Sequence, residues 1–170
     1  MAKASWNRAV RSKNLVGFSV DGVPYAIDIQ RVREIIKPLP TLPIPHAPPA
    51  VIGVTDHRGD VVPIIDLRLR FGAPSKPSER EQLWIVVKRG NRYAGLVVDR
   101  VTEVFGAGVS QYREVPDIGL GDRTQGIISV CTHRGSLVFV LDVDRITDLA
   151  EQLDLSAVDT LTRQKETNNG

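Results

Sequence analysis

The sequence predicts a mainly β protein in which two small β-barrels are related by a pseudo-twofold axis. Short segments rich in β-branched and aromatic residues alternate with glycine-containing turns, a pattern typical of strands joined by hairpins. One such unit occurs twice in the same order, and each copy is too short to bury a good core alone. We therefore expect the copies to pack over a shared hydrophobic core.

The predicted strands are distributed over both halves of the chain. They include residues 16–20, 25–29, 61–67, 83–87, 93–98 and 137–143. A glycine that can adopt positive φ lies in the turn beside most of these segments, which predicts tight hairpins. These turn glycines are Gly22, Gly59, Gly90 and Gly135.

Three segments interrupt the strand pattern. Residues 38–49 hold six of the eleven prolines, which lack a backbone donor, and this predicts an ordered extended loop. Residues 72–80 predict a polar linker between the halves. After Asp144, apolar residues recur at spacings of three and four, which predicts a C-terminal amphipathic helix. These residues are Ile146, Leu149, Leu153 and Ala157.

The internal repeat consists of two blocks in each half. In the first block, Gly22, Tyr25-Ala26, Arg31-Val32 and Glu34-Ile35 correspond to Gly90, Tyr93-Ala94, Arg100-Val101 and Glu103-Val104. In the second block, His57-Arg58-Gly59 corresponds to His133-Arg134-Gly135. The second copy is one residue longer between Ala94 and Arg100, and an extra residue of this kind predicts a β-bulge.

The charge distribution argues against nucleic acid as a partner. The first 14 residues contain four basic and no acidic side chains, which predicts a flexible basic tail over residues 1–14. Beyond them acidic residues slightly outnumber basic ones, so the folded part lacks the net positive charge that binds phosphates. A small-barrel nucleic-acid-binding protein is kept only as a remote alternative.

The chain has no run of about 18 apolar residues and no apolar leader, so we expect a soluble, cytoplasmic protein. Cys131 is the only cysteine, which excludes an internal disulfide and fits a reducing compartment. Because a lone cysteine usually behaves as a small hydrophobe, we expect Cys131 to be buried.

Candidate catalytic groups are few. His57 and His133 begin equivalent turns and could act together as metal ligands, but no cysteine or closely spaced second histidine completes a set, so we interpret them as solvated turn residues. Asp66 and Asp142 follow equivalent apolar runs, where a carboxylate caps the next turn or helix. With no reaction centre recognisable, we expect a protein-binding module rather than an enzyme, without cofactor or metal.

Five segments together resemble the CheW family of chemotaxis coupling proteins. They are residues 25–29, 32–35, 53–59, 61–68 and 95–101, and the similarity runs from about Leu15 to Leu149. The resemblance implies two intertwined, five-stranded SH3-like β-barrels in residues 15–149, sharing one hydrophobic core. Residues 150–170 would then form the end of the C-terminal helix and a frayed tail.

By this resemblance the chain is a non-catalytic adaptor. It would link the cytoplasmic tip of a methyl-accepting chemoreceptor to the regulatory domain of a CheA-type histidine kinase, and would reach the membrane only through the receptor. The implied receptor-binding residues are Val32, Arg58, Val97 and Val98. The implied kinase-binding residues are Glu34, Ile35 and Gly53. The residues alone also fit barrel core for the valines and for Ile35, and ordinary turn or surface roles for Arg58, Glu34 and Gly53.

One departure from the family pattern lies beside the predicted receptor contact. The family's usual Asn-Leu before Arg-Gly is Asp56-His57 in this chain. Asp can replace Asn in an Asx-type turn, but it adds charge beside Arg58. The departure keeps open an alternative, a CheW-like paralogue with altered kinase or receptor binding in a non-swimming chemosensory pathway.

Overall fold

The computed structural model describes residues 14–73, 82–108, 111–115 and 126–153. The predicted basic tail up to residue 13, most of the predicted linker and the chain beyond residue 153 lie outside these ranges. Within them no helix is long and apolar enough to cross a membrane.

The first copy contains five strands and two short helices. They are β1 (Asn14–Val20), β2 (Val23–Asp28), a 3-10 helix (Ile29–Arg31), β3 (Val32–Ile36), β4 (Val51–His57), β5 (Asp60–Asp66) and α1 (Leu67–Phe71). The second copy repeats this order of strands with one added strand. Its elements are β6 (Leu83–Arg89), β7 (Arg92–Val98), β8 (Arg100–Gly106), β9 (Tyr112–Arg113), β10 (Ile127–His133), β11 (Ser136–Leu141), α2 (Val143–Thr147) and a 3-10 helix (Asp148–Gln152).

Both sheets contain strands from both copies. One sheet has the order β8-β1-β2-β11-β10-β9 and the other β3-β6-β7-β5-β4. If β9 is set aside, exchanging the copies converts one order into the other. Four pairings join the copies: β2 with β11 and β5 with β7 are parallel, whereas β1 with β8 and β3 with β6 are antiparallel, as are the hairpins within each copy. The predicted pseudo-twofold pair of intertwined β units is confirmed.

A single hydrophobic core joins the two sheets. Its fully buried side chains come from both copies and include Phe18, Ile27, Ile65, Ile85, Leu96 and Ile146. Each sheet also encloses a smaller apolar cluster of its own, and Cys131 is buried in the cluster of the six-stranded sheet, as predicted. Burial of apolar area at roughly 25 cal/mol per Å² is the main force that holds the sheets together.

The capping interpretation of the two aspartates is also confirmed. Asp66 Oδ1 accepts a hydrogen bond from the backbone N–H of Arg68 at 2.8 Å, at the start of α1. Asp142 Oδ1 accepts one from the N–H of Asp144 at 2.8 Å, at the start of α2. Each carboxylate therefore satisfies helix donors that would otherwise lack partners.

The predicted turns form as expected, but the predicted bulge does not. All four turn glycines have positive φ. Register shifts occur at equivalent places in β3 and β8, so these bulges belong to both copies and do not explain the extra residue. That residue lies where β7 continues to Val98 and joins β8 through Asp99, whereas the first copy has a 3-10 helix between β2 and β3.

The C-terminal segment is helical, as predicted, but only its first part is an α-helix. α2 ends at Thr147, and the chain continues as a 3-10 helix to Gln152. Ile146, Leu149 and Leu153 nevertheless pack against the shared core, which accounts for their spacing. Ala157 lies outside the described residues.

The proline-rich loop is extended around Leu42, where it pairs with the outer edge of β4, and it contains turns at residues 45–46 and 49–50. Leu42 exchanges two backbone hydrogen bonds with Val54, at 2.8 and 2.9 Å. The Leu42 side chain is exposed rather than packed, whereas Leu39 contacts the smaller apolar cluster of the five-stranded sheet.

Two ion pairs with reversed charges connect the copies. Arg68 of the first copy donates from Nε to Asp99 Oδ1 of the second at 2.8 Å, and this hydrogen bond raises the pKa of Arg68. In the second copy Asp144 occupies the position of Arg68, and it accepts from Nη2 of Arg31 at 2.6 Å. This contact lowers the pKa of Asp144. The Arg68 and Asp99 side chains are only 11% and 18% exposed, whereas Asp144 is 69% exposed.

Replacing Arg68 with Ala should lower the free energy of unfolding by about 3 kcal/mol, because Asp99 keeps a mostly buried charge without its partner. The matched control is Arg31→Ala, which breaks the more exposed pair and should cost about 1 kcal/mol or less. Urea unfolding followed by circular dichroism measures both values. Equal costs for the two variants would contradict the assigned difference in burial.

Candidate functional site

All seven predicted site residues lie on the five-stranded sheet or in its β4–β5 turn. Val32, Glu34 and Ile35 are on β3, Gly53 is on β4, Arg58 is in the turn that follows, and Val97 and Val98 are on β7. The predicted receptor and kinase residues therefore share one sheet, although they come from separate segments of the chain.

Glu34, His57 and Arg58 form a connected polar cluster, here called the Glu34 cluster. Glu34 Oε1 lies 2.6 Å from His57 Nε2, and Glu34 Oε2 accepts from Arg58 Nη2 at 3.2 Å. The hydrogen bond with His57, followed by the charges of its cationic neighbours, lowers the pKa of Glu34. The structure thus places a predicted kinase contact, Glu34, in direct contact with a predicted receptor contact, Arg58.

The Glu34 cluster also connects the two ends of the five-stranded sheet. β3 and β4 are at opposite ends of its strand order, and the Glu34–His57 contact joins them. The sheet therefore curls far enough for its first and last strands to meet through side chains, as expected for a barrel.

The local turn holds Arg58 outward. Arg58 has φ of +55° and Gly59 of +83°, so the hairpin turns through two left-handed residues. Asp56 Oδ1 accepts from the N–H of Gly59 at 3.0 Å, so Asp56 performs the predicted Asx role. The Arg58 side chain remains 65% exposed and is available to a partner.

His57 is not the solvated turn residue that the sequence predicted. Its side chain is mostly buried and contacts Glu34. The sequence held one signal of this contact: a glutamate and a histidine recur together in both copies, as Glu34 with His57 and as Glu103 with His133. Paired recurrence of this kind indicates a duplicated side-chain contact.

The second copy contains an equivalent cluster on the other sheet. Glu103 lies 2.9 Å from His133 Nε2 and accepts from Arg134 Nη2 at 3.2 Å. Arg134 also has positive φ and is 76% exposed. The surroundings differ, because Phe105 stacks on His133 with 3.9 Å between ring centroids.

A second cation lies beside the Glu34 cluster. Arg33 Nη1 lies 3.2 Å from Asp60 Oδ2, and the Arg33 guanidinium lies 4.0 Å above the centre of the Tyr93 ring. The ion pair and the cation–π contact together restrain Arg33 against the sheet.

The predicted kinase residues combine an exposed apolar side chain with a constrained glycine. Ile35, next to Glu34, is 43% exposed on β3. Gly53 has φ of +149°, and a Cβ at this position would lie 2.4 Å from the carbonyl oxygen of Leu42. Gly53 therefore allows the proline-rich loop to approach β4, a structural role that exists whether or not a partner binds here.

The three predicted receptor-contacting valines are less accessible than Arg58. Val97 is buried with Val62, Ile64 and Trp84, and Val98 belongs to the shared core. Val32 is partly buried against that core. The structure therefore brings these valines beneath the sheet surface, and their receptor contact stays a prediction.

No group of three or more metal-ligating side chains converges in the part of the chain that the structure describes. His57 and His133 each contact a glutamate on the edge strand of their own sheet. Each copy exposes an arginine at a hairpin tip, Arg58 or Arg134, and an apolar residue on an edge strand, Ile35 or Val104. Exposed groups of this kind on a β fold are typical of scaffold domains.

Comparisons with known proteins identify the family. Residues 14–151 match the family model of the CheW-like domain. The chemotaxis protein CheW of Helicobacter pylori is 32% identical over 131 residues, covering 77% of this chain and 79% of that protein. The Rhizobium meliloti CheW is 28% identical over 146 residues, covering 86% and 94%.

A solved structure is also similar. The scaffolding protein TtCheW from Thermoanaerobacter tengcongensis superposes with a TM-score of 0.73 at 26% identity, covering 81% of this chain and 93% of that one. The chain belongs to the CheW family of chemotaxis coupling proteins, as its sequence blocks predicted.

Replacing Gly53 with Ala should lower the free energy of unfolding by about 2 kcal/mol or more, because the new methyl group collides with the Leu42 carbonyl in a backbone region that favours glycine. The control is Gly22→Ala, where φ is also positive but no atom lies within 4 Å of the added Cβ. That change should cost about 1 kcal/mol. Thermal and urea unfolding measure both, and a Gly53→Ala protein as stable as the control would contradict the close approach.

Proposed function

We propose that this chain is a non-catalytic adaptor that couples a methyl-accepting chemoreceptor to a CheA-type histidine kinase in the cytoplasm. Family membership supports a role as a chemotaxis scaffold. The observation that carries the finer proposal is the Glu34 cluster, in which one exposed arginine and the acidic residue that holds it match the family's receptor-contact and kinase-contact positions. The role requires no reaction centre in this chain.

Arg58 is the proposed receptor contact. Its guanidinium is mostly exposed at the tip of the β4–β5 hairpin, and Glu34 occupies only one of its donor groups. A guanidinium in this position has further N–H donors for carboxylates or backbone carbonyls of a docked helical hairpin. Val32, Val97 and Val98 lie in the same sheet and would shape the apolar floor beneath that contact.

The proposed kinase contact lies on β3, where Glu34 contacts Arg58. Ile35 exposes an apolar side chain at an edge strand, and Glu34 precedes it. An exposed apolar residue flanked by charge is typical of the centre and rim of a protein interface. Gly53 supports this surface indirectly, because it sets the path of the loop beside β4.

One observation favours the alternative of a paralogue with altered partners. Asp56 and His57 replace the family's usual residues, and His57 makes a contact that leucine could not make. Under this alternative, the chain would bind a receptor or kinase of another chemosensory pathway through the same surface. The remote nucleic-acid alternative depends on the basic tail, which lies outside the described residues except for Asn14.

Replacing Arg58 with Glu should weaken binding to the receptor's cytoplasmic fragment about tenfold or more, because the exposed cation becomes an anion beside Glu34. Binding to the kinase regulatory domain should change less. Isothermal titration calorimetry with each purified partner measures this. The matched control is Arg134→Glu, at the equivalent hairpin tip of the second copy, and an equal loss in both variants would refute a specific role for Arg58.

Replacing Ile35 with Asp should weaken binding to the kinase regulatory domain about tenfold or more, since the charge would be buried in the interface without a partner. Val104→Asp is the control, because Val104 holds the equivalent position on β8 and is 57% exposed. Both variants should stay folded, as the replaced side chains face solvent. Unchanged kinase affinity of the Ile35 variant would remove β3 from the proposed interface.

A further inference from the structure

The side chain of Glu34 is shared between two cationic neighbours of different character. One oxygen is held by His57 at 2.6 Å and the other by Arg58 at 3.2 Å. Arg58 is charged at every physiological pH, whereas histidine changes charge between pH 5 and 8. The strength with which Glu34 holds Arg58 therefore depends on whether His57 carries one proton or two.

We propose that His57 is a positioning residue that controls Arg58 through Glu34, so that protonation of His57 releases Arg58 toward an acidic partner surface. The inference rests on the proposed receptor contact of Arg58 and adds to it a proton-linked regulation. His57 itself is mostly buried, so it acts through Glu34 and is not a contact residue.

The direction of the effect follows from charge. Neutral His57 donates Nε2–H to Glu34 and leaves the full negative charge of the carboxylate facing Arg58. Protonated His57 adds a positive charge beside Glu34, which weakens the attraction of Glu34 for Arg58 and repels the guanidinium. An acidic partner then meets a less restrained arginine in a more positive surface, so binding should strengthen as pH falls.

The other charged groups near His57 do not cancel this effect. On β3, Arg33 also faces the cluster, but it is paired with Asp60 of β5 at 3.2 Å. On the hairpin of His57 itself, the Asp56 carboxylate accepts from the backbone N–H of Gly59. Glu34 is therefore the acidic group that His57 contacts directly in the part of the chain that the structure describes.

The second copy supplies an internal control for this inference. His133, Glu103 and Arg134 reproduce the geometry of the Glu34 cluster on the other sheet. A general effect of histidine protonation on charge or stability would involve both clusters. An effect through the proposed receptor contact would involve His57 alone.

The test is the pH dependence of binding to a purified receptor cytoplasmic fragment, measured by calorimetry at pH 6 and pH 8. The variant is His57→Gln, whose side-chain amide can still donate to Glu34 but does not ionise in this range. The parent should bind about 3- to 10-fold more tightly at pH 6 than His57→Gln does, and the two should agree at pH 8.

His133→Gln should keep the pH dependence of the parent. A second measurement follows the imidazole signals by NMR, where the titration midpoint of His57, but not that of His133, should move to higher pH when the fragment is bound. A purely structural role of His57 would not shift this midpoint.

The outcomes separate this inference from the proposed function. Binding that occurs but has the same pH dependence in the parent and in His57→Gln overturns the proton linkage and leaves the receptor contact intact. Absence of binding by the parent at both pH values overturns the proposed receptor contact itself. A His133→Gln protein that loses the pH dependence assigns the effect to the second copy and overturns the role of His57.

Discussion

The four strand pairings between the copies are the constraint on which the rest of the structure depends: β2 with β11, β5 with β7, β1 with β8 and β3 with β6. Because of them, neither copy completes a sheet from its own strands. The hairpins of both copies must therefore form before the shared core closes around residues such as Ile27 and Leu96. The two copies should therefore fold and unfold as one cooperative unit, although the sequence is a tandem repeat.

The strand pairing between the copies also explains where the candidate site lies. It brings β3 of the first copy beside β6 of the second, and the sheet curls until Glu34 on β3 meets His57 on β4. The symmetry produces this cluster twice, but the two environments have diverged. Arg33 and Tyr93 border the first cluster, whereas Phe105 covers His133 in the second. One scaffold thus presents two related surfaces with different chemistry.

Most strands and turns could be predicted because their signals are local. Strand segments carry β-branched residues, turn glycines need positive φ, and Asp66 and Asp142 cap the helices that follow them directly. The failures involve non-local competition. Apolar spacing after Asp144 predicted the C-terminal helix but not its type, because packing of Ile146 and Leu149 against the shared core is satisfied by a short α-helix that continues as a 3-10 helix.

The sequence by itself determined the repeat, the mainly β architecture, the family and the hairpin tip that carries Arg58. These features depend on residue types and on spacings within single segments. Only the tertiary structure decided that Glu34 and Arg58 touch, that His57 is enclosed between strands, and that Val97 and Val98 lie in the interior. Those facts depend on which strands become neighbours and how far the sheet curls, and residues distant along the chain jointly set both.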